Sequence, residues 1–184
     1  MFGGLYKKVK NGILKARVKT ASNKFRIDYL RSRGVQIGEN CLIFTIAFST
    51  EPYLIKIGNH VVVSAGTTFI THDGAVWVFR EKHPNLTVFG KITIGDNTFV
   101  GMNCTILAGT EIGSNCIIGA GSVVRGVIPD DSVVMGNPAK VVMKTSIAEM
   151  FLTKNKNRVD TKQMTPMQRK EVLLNHFFPK SEQN

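Results

Sequence analysis

The sequence predicts an all-β solenoid, and three observations predict it. Between Ile92 and Val127 the chain falls into six-residue units, ITIGDN, TFVGMN, CTILAG, TEIGSN, CIIGAG and SVVRGV. The third position of every unit is aliphatic: Ile94, Val100, Ile106, Ile112, Ile118 and Val124. Gly, Asn and Asp gather between these positions, and these residue types suit tight corners. An α-helix would scatter a six-residue period around its circumference. A coil of short flat strands joined by turns brings every aliphatic inward and stacks Ile on Ile and Val on Val. One such strand buries almost nothing, so the fold needs successive coils to pair their backbones.

Taken in order, residues 1–33 form a basic amphipathic segment. Phe2, Leu5, Tyr6, Val9, Ile13 and Val18 recur among Lys7, Lys8, Lys10, Lys15, Arg17 and Lys19, a helical spacing. These 33 residues hold ten Lys and Arg against the single acid Asp28. Two uses compete. The favoured one is a helix packed on its own oligomer with a solvated basic face; the other is contact with an anionic membrane surface. Nucleic acid is disfavoured, because no aromatic residues interleave with the charges in a known binding pattern.

Residues 34–143 are the solenoid, and their six basic and eight acidic residues leave it nearly neutral. Ile37 and Ile43 start the inward column, and Ile57, Val63 and Phe69 continue it after a slip of two residues that a small loop at 49–52 absorbs. The pattern then breaks at Thr71-His72, and the next regular inward residue is Ile94. Residues 73–91 are therefore an extruded loop, and they carry the single Trp of the chain. Long loops on rigid scaffolds commonly carry function. After Val127 one partial coil follows, with Pro129 and Pro138 blunting the open end. Residues 144–184 lose the repeat and read as a helical extension, with helices at 147–152 and 166–178.

The 43% hydrophobic content excludes wholesale disorder. No stretch approaches a membrane span or a signal peptide, so cytoplasmic residence is expected. Cys41, Cys104 and Cys116 each open a six-residue unit and contain no C-x-x-C, which predicts reduced packing residues.

The repeat, followed by Ile128-Pro129-Asp130 and Gly136-Asn137-Pro138-Ala139-Lys140, resembles the hexapeptide acyltransferases. Among these it is most similar to the galactoside, maltose and xenobiotic acetyltransferases and the bacterial polysaccharide O-acetyltransferases. The resemblance implies a left-handed parallel β-helix; periodicity itself does not report the hand. It also implies a homotrimer with active sites between subunits, and acetyl-CoA lying along the groove between them. By position, Gly101 and Met102 would lie near the thioester, followed by Gly119, Ala120 and Arg125, with Pro138 and Lys140 at the adenine and phosphate end. The family often has a second basic residue three positions after Lys140, where this chain has Met143.

Acyl transfer to a hydroxyl needs a base, oxyanion donors and a groove that aligns both substrates. His72 stands where the coil gives way to the loop, the place of the catalytic His in the families it resembles, and is assigned as general base. Asp73, Trp77, Arg80 and His83 are candidate acceptor contacts, with Trp77 offering a face for sugar stacking. The orienting partner of His72 is left open among Asp73, Glu51 and a backbone carbonyl. His60 and His176 read as structural or incidental. The His spacing does not fit a metal site of the γ-carbonic anhydrase kind, so no metal is expected. Ile57 stands where the serine acetyltransferases carry an Asp, which argues against serine as acceptor.

The expectation is an acetyl-CoA-dependent O-acetyltransferase acting on a saccharide hydroxyl in capsule, exopolysaccharide or lipopolysaccharide assembly. The alternatives are an N-acetyltransferase of a nucleotide-linked amino sugar, a xenobiotic acetyltransferase and a non-catalytic trimeric scaffold.

Overall fold

The computed structural model describes residues 21–179, so the basic stretch from Phe2 to Val18 lies outside the described residues. The chain divides into two compact units, 1–147 and 148–184.

The first unit is a three-faced parallel β-coil. Its opening turn contains β1 (Gln36–Ile37) and β2 (Leu42–Ile43), with Phe48 on the third face. The second has β3 (Ile55–Ile57), β4 (Val62–Val63) and β5 (Thr68–Phe69). The third has β6 (Ile92–Ile94), β7 (Phe99–Val100) and β8 (Thr105–Ile106), and the fourth β9 (Glu111–Ile112), β10 (Ile117–Ile118) and β11 (Val123–Val124). A partial fifth turn holds β12 (Val127–Ile128) and β13 (Ser132–Gly136). Strands of equal position stack into sheets ordered β1-β3-β6-β9-β12, β2-β4-β7-β10-β13 and β5-β8-β11, all parallel. Ile37, Ile43, Ile57, Val63, Phe69, Ile94, Val100, Ile106, Ile112, Ile118 and Val124 are all buried, as the period requires.

A second interior column stands two residues before each of these. It contains the apolar Val35, Ile55, Val61 and Ile92 and otherwise small donors: Cys41, Thr67, Thr98, Cys104, Thr110, Cys116, Ser122 and Ser132. Their side chains donate to carbonyls of neighbouring backbone: Thr67 Oγ1 to Gly101 O (2.8 Å), Cys104 Sγ to Gly119 O (3.2 Å), Cys116 Sγ to Pro129 O (3.3 Å). The three cysteines are free and buried, and burial pushes the thiols of Cys104 and Cys116 up. They serve as weak donors where other turns use a hydroxyl.

One corner carries a polar ladder. Asn40, His60, Asn97, Asn115 and Asp131 all adopt the left-handed conformation there. His60 Nδ1 lies 2.7 Å from Asn97 Oδ1, Asn97 Nδ2 donates to Asn115 Oδ1 (2.9 Å), and Asn115 Nδ2 donates to Asp131 Oδ1 (3.0 Å). His60 is thus a corner residue of the scaffold.

The two ends of the coil are closed differently. At the start, α1 (Asn23–Ser32), capped by Ser22, lays Leu30 into the core. Asn23 bonds Cys41 O and Ile43 N at 2.8 Å each, Arg26 Nε donates to Ile43 O, and Arg31 donates to Ile37 O and Gly38 O. Side chains here satisfy the open strand edge that would otherwise face solvent. At the far end, β14 (Ala139–Lys144) folds back antiparallel on β13 through the Asn137–Pro138 turn. A paired strand covers this edge, in addition to the prolines that the sequence places there.

The slip after Ile43 is resolved by Phe48, which takes the inward place and stacks on Phe69 at 4.4 Å. A 3₁₀ turn at Pro52–Leu54 then leads into β3. Residues 73–91 do leave the coil: they open with a 3₁₀ helix, Gly74–Phe79, and return by an antiparallel bridge between His72 and Phe89. Helix α2 (Thr145–Thr153) follows β14. The second unit contains α3 (Pro166–Phe177), opened by a capping box between Thr165 and Gln168. Among the described residues no helix is long and apolar enough to cross a membrane.

Candidate active site

Two adjacent departures from the hexapeptide pattern build the site. The loop after Phe48 supplies Ser49, Thr50 and Glu51; the loop after Phe69 supplies Thr71 and His72 one turn above. Ser49 has a φ of +48°, the left-handed conformation, at the point where the chain turns out of the coil. Its Oγ accepts from Thr71 N (3.3 Å) and lies 2.7 Å from Thr71 Oγ1, tying the two loops together.

The orienting partner of His72 is Glu51. His72 Nδ1 lies 3.0 Å from Glu51 Oε2. Thr71 Oγ1 donates to the same oxygen (2.8 Å), and Thr50 Oγ1 donates to Oε1 (2.6 Å). Glu51 therefore sits among donors with its side chain only 18% exposed. The hydrogen bond from Thr50, with those from His72 and Thr71, holds its carboxyl down at about 2. An ionised carboxylate can only accept, so Nδ1 of His72 carries a proton. In the neutral imidazole this leaves the lone pair on Nε2. The ring is half-exposed and meets Phe89 edge-on, with centroids 6.4 Å apart. The loop root is fixed on both sides, by Asp73 N donating to Val88 O and Gly90 N donating to Thr71 O, each at 2.9 Å.

Asp73, the other carboxylate considered, does not reach His72 in this way. Its side chain accepts from Ala75 N (2.9 Å) and caps the 3₁₀ helix. It nevertheless lines a cleft of about 290 Å³ with Ile70, His72, Gly74, Leu107, Ala108 and Arg125. Trp77, Arg80 and His83 stand away from that lining. Trp77 is 77% exposed, Arg80 donates to Pro84 O within its own loop (2.9 Å), and His83 is exposed. His176, in α3, rests its ring against Phe177.

The residues expected along the donor separate into two groups. The amides of Gly101 and Gly119 are taken, donating to Ile118 O and Val134 O at 2.8 Å. A Cβ at Gly101 would fall 2.6 Å from Ala120 N and one at Gly119 2.7 Å from the Met135 side chain, so close stacking of turns explains both glycines. Met102 and Ala120 occupy equivalent exposed places on successive turns, and their carbonyl and amide neighbours pair through Gly121 N to Met102 O. Pro138 and Lys140 are exposed on the terminal hairpin. Arg125 does not join this line: it belongs to the His72 cleft.

Thr50, Thr71 and Ser49 join the site in the structure and do not stand out in the sequence. The available signal was the run Ser49-Thr50-Glu51 facing Thr71-His72, hydroxyl residues beside the only two breaks in the repeat before Ile94.

Comparison with known proteins adds four findings. Residues 91–126 match the model of the bacterial transferase hexapeptide, six repeats. The chain is 44% identical over 153 residues to Protein CapG of Staphylococcus aureus, covering 82% of this chain and 88% of CapG. A shorter stretch of 53 residues is 47% identical to WbbJ of Escherichia coli K12, named as a lipopolysaccharide biosynthesis O-acetyl transferase, covering 29% of this chain and 27% of WbbJ. The fold matches that of a hexapeptide-repeat-containing acetyltransferase from Vibrio cholerae with a TM-score of 0.58 at 22% identity, over 74% of this chain and 89% of that one. That likeness is one of fold, the left-handed parallel β-helix.

Proposed function

Because the chain belongs to the bacterial hexapeptide-repeat acyltransferases, we propose that it transfers an acetyl group from acetyl-CoA to a saccharide hydroxyl, with His72 as general base. The observation that carries this reading is the Glu51–His72 pair, Nδ1 to Oε2 at 3.0 Å, at the root of the extruded loop. With Glu51 holding the Nδ1–H tautomer, Nε2 removes the proton of the sugar hydroxyl as its oxygen attacks the thioester carbonyl. The carbonyl carbon becomes tetrahedral, and its oxygen takes negative charge that backbone N–H groups stabilise. Collapse expels the CoA thiolate, to which the imidazolium returns its proton. Glu51 stays ionised throughout and stabilises the imidazolium.

The geometry supports a shared site. His72 follows the third-face strand β5, whereas Met102 and Ala120 precede the third-face strands β8 and β11. From Met102 to Leu107, which lies in the His72 cleft, the chain crosses five residues of that face, roughly 16 Å of extended backbone. One copy therefore presents the base and the amide line on different corners. A neighbouring copy in a homotrimer would bring its amides of Met102 and Ala120 against His72, with acetyl-CoA between them. Pro138 and Lys140 then stand farther along the groove, where Lys140 meets the phosphates of the donor.

The named activity of WbbJ, O-acetyl transfer in lipopolysaccharide biosynthesis, supports a hydroxyl of a cell-surface polysaccharide precursor as acceptor. Trp77, exposed on the loop, offers a stacking face to a sugar ring. Donor supply puts the reaction on the cytoplasmic side. The test is acetyl transfer from labelled acetyl-CoA to a panel of sugars, followed by hydroxylamine. A hydroxylamine-labile product supports O-acetylation; a resistant amide overturns it in favour of amino-sugar N-acetylation.

A further inference from the structure

We infer that Arg125 binds an anionic group of the acceptor, so that the substrate is an acidic saccharide carrying a carboxylate or phosphate; this rests on the acetyltransferase reading above. Arg125 occupies the position just after an inward aliphatic, where Gly or Leu stands in the other five units between Ile92 and Val127. It stacks in register with Leu107 and Ile70, since Ile70 N donates to Ile106 O and Leu107 N to Val124 O. Two turns at strand spacing separate it from Ile70, roughly 10 Å. The guanidinium consequently shares one cleft with His72.

Three features of that cleft point to the acceptor. First, the donor's pantetheine arm is long, so a cation this near the base lies at the reacting end of acetyl-CoA and away from its phosphates. Second, among the described residues Arg125 takes part in no ion pair or hydrogen bond. Third, the wall between Arg125 and His72 is Ile70, Leu107 and Ala108, which offers the guanidinium no acceptor side chain. Glu51 is committed to Thr50, Thr71 and His72, and Asp73, the carboxylate in the lining, accepts from Ala75 N through Oδ1 and forms no ion pair with Arg125. A planar, permanently charged fork without a partner is suited to a bidentate carboxylate or phosphate. Bound there, the anion would anchor the sugar while Nε2 of His72 reaches one of its hydroxyls.

The test compares wild type with Arg125→Gln and Arg125→Lys, all checked for unchanged thermal unfolding. Binding of methyl hexuronosides, hexose phosphates and neutral methyl hexosides is measured by calorimetry on protein saturated with CoA, with thiol release from acetyl-CoA assayed alongside. The expected result is preferential binding of an acidic probe, weakened about 10- to 100-fold by Arg125→Gln. Arg125→Lys should recover part of it, and affinity for CoA should hold. The uronoside and phosphate arms identify which anion is read. Equal binding of acidic and neutral probes, or a loss of CoA affinity in Arg125→Gln, overturns the inference. Acidic binding through Arg125 without any thiol release would instead sustain it and sink the acetyltransferase reading.

Discussion

A carboxylate that accepts from two hydroxyls and an imidazole cannot easily take up a proton, and this governs how Glu51 responds to acid. Its folded carboxyl titrates at about 2, below the ordinary value of 4.5. Linkage then has a definite sign: the stabilisation from its ionised form is complete above pH 4.5 and is lost as pH falls toward 2. Carbon-detected NMR of the Glu51 carboxyl should show no titration until about pH 2, and Thr50→Ala should move the midpoint upward, because that hydroxyl makes the largest contribution. A midpoint that stays put would mean that the hydroxyl cradle does not hold the charge. Glu51→Gln should lower kcat on the order of 10²-fold or more while leaving acetyl-CoA affinity intact, since a positioning residue acts through the tautomer of His72. His72 itself was legible as the residue at the root of the loop. Glu51 was legible only as one of three choices, because its 21-residue separation from His72 is not a multiple of the 18-residue turn. The out-of-phase loop that carries it had to be folded before its partner could be seen.

Among the elements, the turns of the coil were read almost completely, because one position in six had to be apolar and was. What the period does not encode is how the ends are closed. Asn23 and Arg26 act on the first strand edge much as another strand would, and nothing in the hexapeptide rule announces them. Truncating Leu30, which is fully buried under α1, to Ala should cost about 2–5 kcal/mol by chemical denaturation. A cost below 1 kcal/mol would show that α1 does not seal the core. The interior donor column makes a second prediction. Cys41, Cys104 and Cys116 should resist a thiol reagent in native protein at neutral pH, and all three should react after unfolding. Their place at the opening of a unit was visible in sequence, and their role as donors to neighbouring carbonyls was not, because hydroxyls and thiols alternate there without a common name.

For the whole molecule, charge separates by segment: nearly neutral in the coil, strongly basic before it and basic after it. Arg26 and Arg31 of that basic start are bound to strand-edge carbonyls, so part of the charge is structural. The division of base and amide line between two corners of one copy makes the assembly a chemical requirement of the proposed mechanism. Sedimentation equilibrium should give three times the chain mass of 20.3 kDa. A monomer that retains full turnover would remove the shared site. The measurement that bears most directly on the central claim pairs acetyl-CoA calorimetry with thiol release for wild type and His72→Ala. The account predicts that both bind the donor alike, while thiol release with sugar acceptors falls about 10²- to 10⁴-fold in the variant. Unchanged turnover in His72→Ala, or wild type that binds no acetyl-CoA, would contradict it.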